Sequence, residues 1–171
     1  MATTDKYDRQ TRLWGSNGQR LLGEATIIML GTSSAGTEAL KNLVLPGAGH
    51  FIIVDDKKVD ARDCGNDFFV TQDKIGTNKA KCISELMKEM NPDVKTGNYI
   101  DMPVAEFIEK SDMILDAQLV LLCEAGDGLA SKVSELCYSR NIPLILIRQY
   151  GLLGYVRLQK AEDCIVEPKV A

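Results

Sequence analysis

The stretch Met29–Gly47, MLGTSSAGTEALKNLVLPG, decides the fold. An apolar run, ATIIMLG at 25–31, ends in Gly31 and reads as a buried strand. A helix-period pattern follows over Thr37–Leu45, with Ala39, Leu40, Leu43 and Val44 on one face. PGAG at 46–49 stops it, and HFIIVDD at 50–56 reads as a second buried strand ending in acid. Strand, glycine turn, helix and strand within about 30 residues make a βαβ unit. The turn departs from G-x-G-x-x-G. Gly31 and Gly36 hold the first and third positions, and Ser33 stands at the second. The first glycine of such a turn makes the bend, the second admits the pyrophosphate, and the third lets helix pack on strand. Ser33 puts a side chain where phosphate would approach. Nucleotide binding is therefore disfavoured, although the helix N-terminus still offers free N–H groups.

Working outward, residues 5–24 read as helical with an interruption around GSNG, and residues 56–75 as polar and irregular. Thr77–Met90 reads as a helix with Ala80, Ile83, Met87 and Met90 inward. A turn and strand follow over 91–100, then a short helix over Met102–Lys110 and a buried strand at QLVLLC, 118–123. Leu129, Val133, Leu136 and Cys137 mark an amphipathic helix. IPLILIRQ at 142–149 is a buried strand and GYVRLQK at 154–160 a further one. Alternating strands and helices predict a single α/β domain over 1–171. Its fold is Rossmann-like and three-layered, with a mostly parallel sheet covered on both faces.

A chain of 171 residues, 45% apolar and 26% charged, can build one ordinary core. Its net charge of −4 without a basic block argues against a nucleic-acid partner. No run has the length of a membrane span, and MATTDKYDRQ carries no secretory signal. Five widely spaced cysteines, none in C-x-x-C, and one histidine predict free thiols and no zinc site. Reduced thiols imply a cytoplasmic or nuclear setting.

Several side chains are candidates for chemistry. Asp55 ends the second strand, where an acid can hold a ribose hydroxyl or stand as a solvated carboxylate. Lys79, near the start of its helix, reads on the residues alone as a surface lysine. Trp14, the single tryptophan, is expected to pack the first helix onto the sheet. Cys64 has no visible base beside it and reads as a passive thiol.

Four stretches taken together carry a resemblance: YDRQTRLWG at 7–15, GTEALKNLVLPGAG at 36–49, DCGNDFFVTQDKIGTNKA at 63–80 and RQYGLLGYVRL at 148–158. In order and spacing the chain resembles the adenylation domains of ubiquitin-type activating enzymes, in the ThiF superfamily. Within them it is most similar to the regulatory, non-catalytic side of neddylation-activating heterodimers. The resemblance implies a partner that binds ATP and magnesium and adenylates the C-terminal glycine of a ubiquitin-like modifier. This chain itself is expected to bind no cofactor and no metal. Catalytic members read D-x-D-x-I-x-x-S-N-L-N-R-Q after the second strand, and here the run is DDKKVDARDCGND, 55–67. Asp55 keeps the first acid and Lys57 replaces the second. Asp63 stands for the phosphate-facing asparagine, Asn66 for the arginine and Asp67 for the glutamine. Lys79 keeps the lysine, and Glu124 falls near the acid that helps place magnesium. An arginine lost and two carboxylates gained oppose a phosphate by several kcal/mol in a partly dry site. Gly31, Ser33, Gly36, Asp55 and Lys79 are thus expected to be vestigial. Arg9 of YDRQ is expected to cross to the partner's phosphates as an arginine finger, a role suited to a planar, permanently charged fork. Arg12, one turn further, is expected to be a solvated charge. The small subunit of the sumoylation-activating enzyme is the alternative within the resemblance. A stand-alone nucleotide-binding enzyme is the alternative from another class. The chain is short against the family, which suggests a piece of a longer subunit.

Overall fold

The computed structural model describes residues 6–162. Six strands form one sheet: β1 (Thr26–Leu30), β2 (His50–Val54), β3 (Thr96–Ile100), β4 (Leu119–Cys123), β5 (Leu144–Tyr150) and β6 (Leu153–Gln159). Their spatial order is β3-β2-β1-β4-β5-β6. The first five run parallel, and β6 returns antiparallel beside β5 through the turn at Gly151. The mostly parallel α/β sheet expected from the sequence is present.

Helices α1 (Asp8–Glu24), α2 (Ser34–Val44), α3 (Lys79–Met90), α4 (Val104–Lys110) and α5 (Asp127–Ser139) complete the fold. Central strands buried on both faces need apolar side chains at successive positions. In β1, Ile28 and Leu30 join Phe107 of α4 and Val133 of α5 in one apolar layer. Ile27 and Met29 join Leu40 of α2 and Ile83 of α3 in the other. Both α2 and α3 begin elsewhere than periodicity predicts. Ser33 and Asn78 are their N-caps, each accepting a backbone N–H from three residues on.

The first helix is broken at Gly15, whose φ of 77° and ψ of 166° lie outside the helical region, as GSNG predicts. None of its 17 residues is buried. Trp14 does not reach the sheet. It is 42% exposed, donates its indole N–H to Gln19 at 3.1 Å, and borders a shallow apolar slot with Gly18, Leu22, Leu43 and Pro46. The ring instead lies over Gly18 in the second half of α1, beside the end of α2. The far end of α1 is held at backbone level, where Gly49 N–H donates to Leu22 at 3.2 Å. A Cβ on Gly49 would overlap the Gly23 carbonyl. Because both groups are backbone, Gly49→Ala is expected to lower stability by about 1–3 kcal/mol. Gly128→Ala, with open space around its position in α5, should be neutral or slightly stabilising. Chemical denaturation of the two variants checks the contrast.

Candidate functional site

The carboxyl ends of β1, β2 and β4 converge on the glycine turn, the switch point of an open α/β sheet. Gly31 has φ 79°, and a Cβ on it would stand 2.8 Å from the Cys123 carbonyl oxygen. A Cβ on Gly36 would overlap the Cys123 sulfur. Both glycines are therefore required by the crowding of α2 against β4. Ser33 turns its hydroxyl inward, where it accepts the Gly36 N–H at 3.1 Å. Burial pushes the Cys123 thiol up to about 12, only partly offset by its hydrogen bond with Ser33. Cys123 is a packing group.

Asp55 is neither solvated nor free for a ribose. It is 2% exposed, and one carboxylate oxygen accepts both the N–H of Thr32, at 2.7 Å, and the Thr32 hydroxyl. Its other oxygen accepts the Lys57 N–H at 3.1 Å. The acid is spent on closing the turn after β1.

Lys79 also differs from expectation. Its side chain is 7% exposed, and its ammonium lies 2.8 Å from Asp63 Oδ1 and 3.6 Å from Asp67 Oδ2. Asp67 accepts the Thr37 hydroxyl at 3.3 Å and the Phe69 N–H at 3.0 Å. Asn78 donates its side-chain amide to the Asp55 carbonyl at 3.0 Å, and Lys79 N–H donates to Lys57. These bonds fold the loop 56–78 back over the turn. Both acids that distinguish this chain's version of the motif are thus paired with its lysine.

The remaining motif positions point elsewhere. Asn66 is exposed and donates to the Arg62 carbonyl. Lys57 is exposed. Glu124 is exposed with φ 53° and accepts the Gln149 N–H at 3.0 Å. A cleft of about 190 Å³ runs between Lys57 and Glu124, its charged lining being Asp55, Asp56 and Glu124 against Lys57. Small-molecule sites usually occupy about 300–1,000 Å³.

Arg9 lies on the first turn of α1, exposed, outside that cleft, and makes no ion pair or hydrogen bond among the described residues. Arg12 is exposed and pairs with Asp8 at 2.8 Å. Cys64 is half-buried, its thiol donating to the Asp60 carbonyl. Cys64, Cys82, Cys123 and Cys137 are free thiols, and Cys164 lies outside the described residues. Thr32, Thr37 and Cys123 escaped the sequence reading. Their roles depend on strand ends meeting in space, and no local pattern marks them.

The ThiF family model matches residues 7–165. The chain belongs to the ThiF family. It is 39% identical over 163 residues to the NEDD8-activating enzyme E1 regulatory subunit of Gallus gallus, covering 95% of this chain and 30% of that protein. With the Arabidopsis thaliana regulatory subunit AXR1 it shares 37% over 164 residues, 96% of this chain and 30% of the relative. The ThiF chain here thus spans under a third of the length of these relatives. Among solved structures, E. coli MccB matches with a TM-score of 0.74 at 19% identity, over 86% of this chain and 43% of its own. E. coli TcdA, a tRNA N6-threonylcarbamoyladenosine dehydratase, matches at 0.73 and 20%, over 82% and 57%. At such identities the likeness shows a shared fold.

Two expectations follow from this packing. Lys79→Ala strands two carboxylates, one of them buried, and should destabilise the ThiF domain by about 3 kcal/mol. Urea denaturation measures this, and a loss below about 1 kcal/mol would show that the ion-paired loop is not structural. Iodoacetamide at pH 8 should label Cys64 before Cys123 and Cys137, whose thiols burial raises to about 12 and about 11. Peptide-resolved mass spectrometry reads the order of labelling.

Proposed function

We propose that the chain is the adenylation-type domain of the regulatory subunit of a NEDD8-activating enzyme. In this reading it pairs with a catalytic subunit, in which ATP and magnesium are bound and the ubiquitin-like modifier is adenylated. Arg9 reaches the phosphates held by that partner.

The observation that carries the reading is the closed Lys79 cluster. A phosphate needs positive charge and free donors. Here the lysine of the motif is neutralised by Asp63 and Asp67, and the turn's Ser33 and Asp55 are committed to backbone. The residues do not fit a magnesium nucleotide, and the small, acid-lined cleft fits one no better. Arg9 has the opposite character: a permanent charge, exposed and without a partner among the described residues. The similarity to regulatory subunits over 95% of the chain supports the same division of labour.

Two measurements test it. Calorimetry of the chain with magnesium-ATP should find no micromolar site, and a micromolar dissociation constant would overturn the regulatory assignment. Arg9→Ala in the reconstituted heterodimer should slow modifier-dependent pyrophosphate exchange by about 10³-fold. Arg9→Lys should recover part of that, since a point charge lacks the forked geometry. Exchange at the wild-type rate in Arg9→Ala would refute the finger.

A further inference from the structure

We propose that Tyr7, Gln10 and Asn91 are positioning residues for Arg9, forming a polar clamp that fixes the first half of α1 to the ends of α2 and α3. The inference rests on the finger role proposed for Arg9.

The break at Gly15 divides α1 mechanically. Its second half is seated at backbone level by the close approach of Gly23 and Gly49. Its first half, residues 8–14, has no buried side chain, and Tyr7 at the N-cap makes no side-chain capping bond. Neither the core nor a cap therefore sets where Arg9 stands.

Polar contacts do. The Tyr7 hydroxyl donates to Asp93 Oδ2 at 2.7 Å and accepts the Asn91 side-chain amide at 3.3 Å. Asn91 caps the C-terminus of α3, is fully buried, and donates the same amide group to the Val44 carbonyl at 2.6 Å. Its side-chain oxygen accepts Lys6 Nζ at 2.6 Å and the Asp93 N–H at 3.1 Å. One buried side chain thus ties the ends of α2 and α3 to the start of α1. The Tyr7 hydroxyl and then the Lys6 ammonium hold the Asp93 carboxyl below its ordinary range.

The second jaw is the Pro46–Gly47 corner. Gln10 and Gln19 both donate to the Pro46 carbonyl and bond each other at 2.9 Å. Gly47 has φ 111°, and a Cβ there would stand 3.2 Å from the Tyr7 ring and 2.8 Å from the Gln19 amide. Tyr7 and Gln10 are three residues apart and share a helix side. Arg9 stands about 100° around the helix from Gln10 and twice that from Tyr7, so it projects away from the clamp. The YDRQ and LPGAG stretches are the two halves of one contact. Its product is an arginine with a fixed base and a free fork, which limits the reorganisation a finger needs.

Tyr7→Phe is the clean variant, since it keeps the ring over Gly47 and removes the hydroxyl. By hydrogen exchange of the chain, amides of residues 8–14 should exchange roughly tenfold faster, and those of 16–24 should be unchanged. In the reconstituted heterodimer, kcat for pyrophosphate exchange should fall roughly tenfold at an unchanged KM for ATP. Placed on Arg9→Ala, Tyr7→Phe should cost less than twofold more. Equal losses in both backgrounds, or faster exchange through both halves of α1 alike, would overturn the clamp. If Arg9→Ala alone exchanges at the wild-type rate, the finger fails and the positioning role fails with it. The hydrogen-exchange contrast still distinguishes that case from a clamp that does not hold.

Discussion

A lysine ammonium buried at 7% exposure must be compensated, and the long loop after β2 is shaped by that need. Asp63 and Asp67 come to Lys79 from within the loop, and Thr37 of α2 joins through Asp67. The network therefore binds the loop, the second helix and the third to one another above the carboxyl ends of the central strands. The acidic replacements have become the lysine's partners, so the fold is satisfied without a ligand.

The broken glycine motif follows the same logic. Gly31 and Gly36 persist because Cys123 leaves no room for a Cβ at either position, which is a demand of strand and helix packing. Ser33 has a φ of −138° and a ψ of 158°, ordinary extended backbone, so nothing in the chain's own geometry requires glycine there. Only a close-lying pyrophosphate would require it. The turn retains the glycines the fold needs, and at the second glycine position Ser33 caps the helix.

The sheet was legible because buried parallel strands are written as continuous apolar runs, and QLVLLC or HFIIVDD needs no tertiary information to be seen. The helix starts were less so. Ser33 and Asn78 look like loop residues until their side chains are seen to accept backbone N–H groups. The fates of Lys79 and Asp55 were hidden for a deeper reason. Charged side chains are ordinarily exposed, and their burial here depends on partners 16 and 23 residues away. Local pattern carries no trace of such a partner. Trp14 misled in the other direction, since its size predicts burial on the sheet while its ring is 42% exposed beside the end of α2.

The two ends of the structure are consequently built by different means. Around the glycine turn Ser33, Asp55, Asp67 and Lys79 are inward and bonded. Along α1 the first half is held by side-chain hydrogen bonds to a corner and to Asn91 and the second by backbone contact and Leu22, while Leu13 and Leu21 remain 79% and 52% exposed. A helix held this way retains an open outer side, because Leu13 and Leu21 take no part in its anchoring. Arg9 sits on that open element. Arg9 makes no ion pair or side-chain hydrogen bond among the described residues, whereas Lys79 is paired with Asp63 and Asp67. The contrast between an inward, ion-paired lysine and an outward, unpaired arginine is the asymmetry on which the proposed division of labour rests.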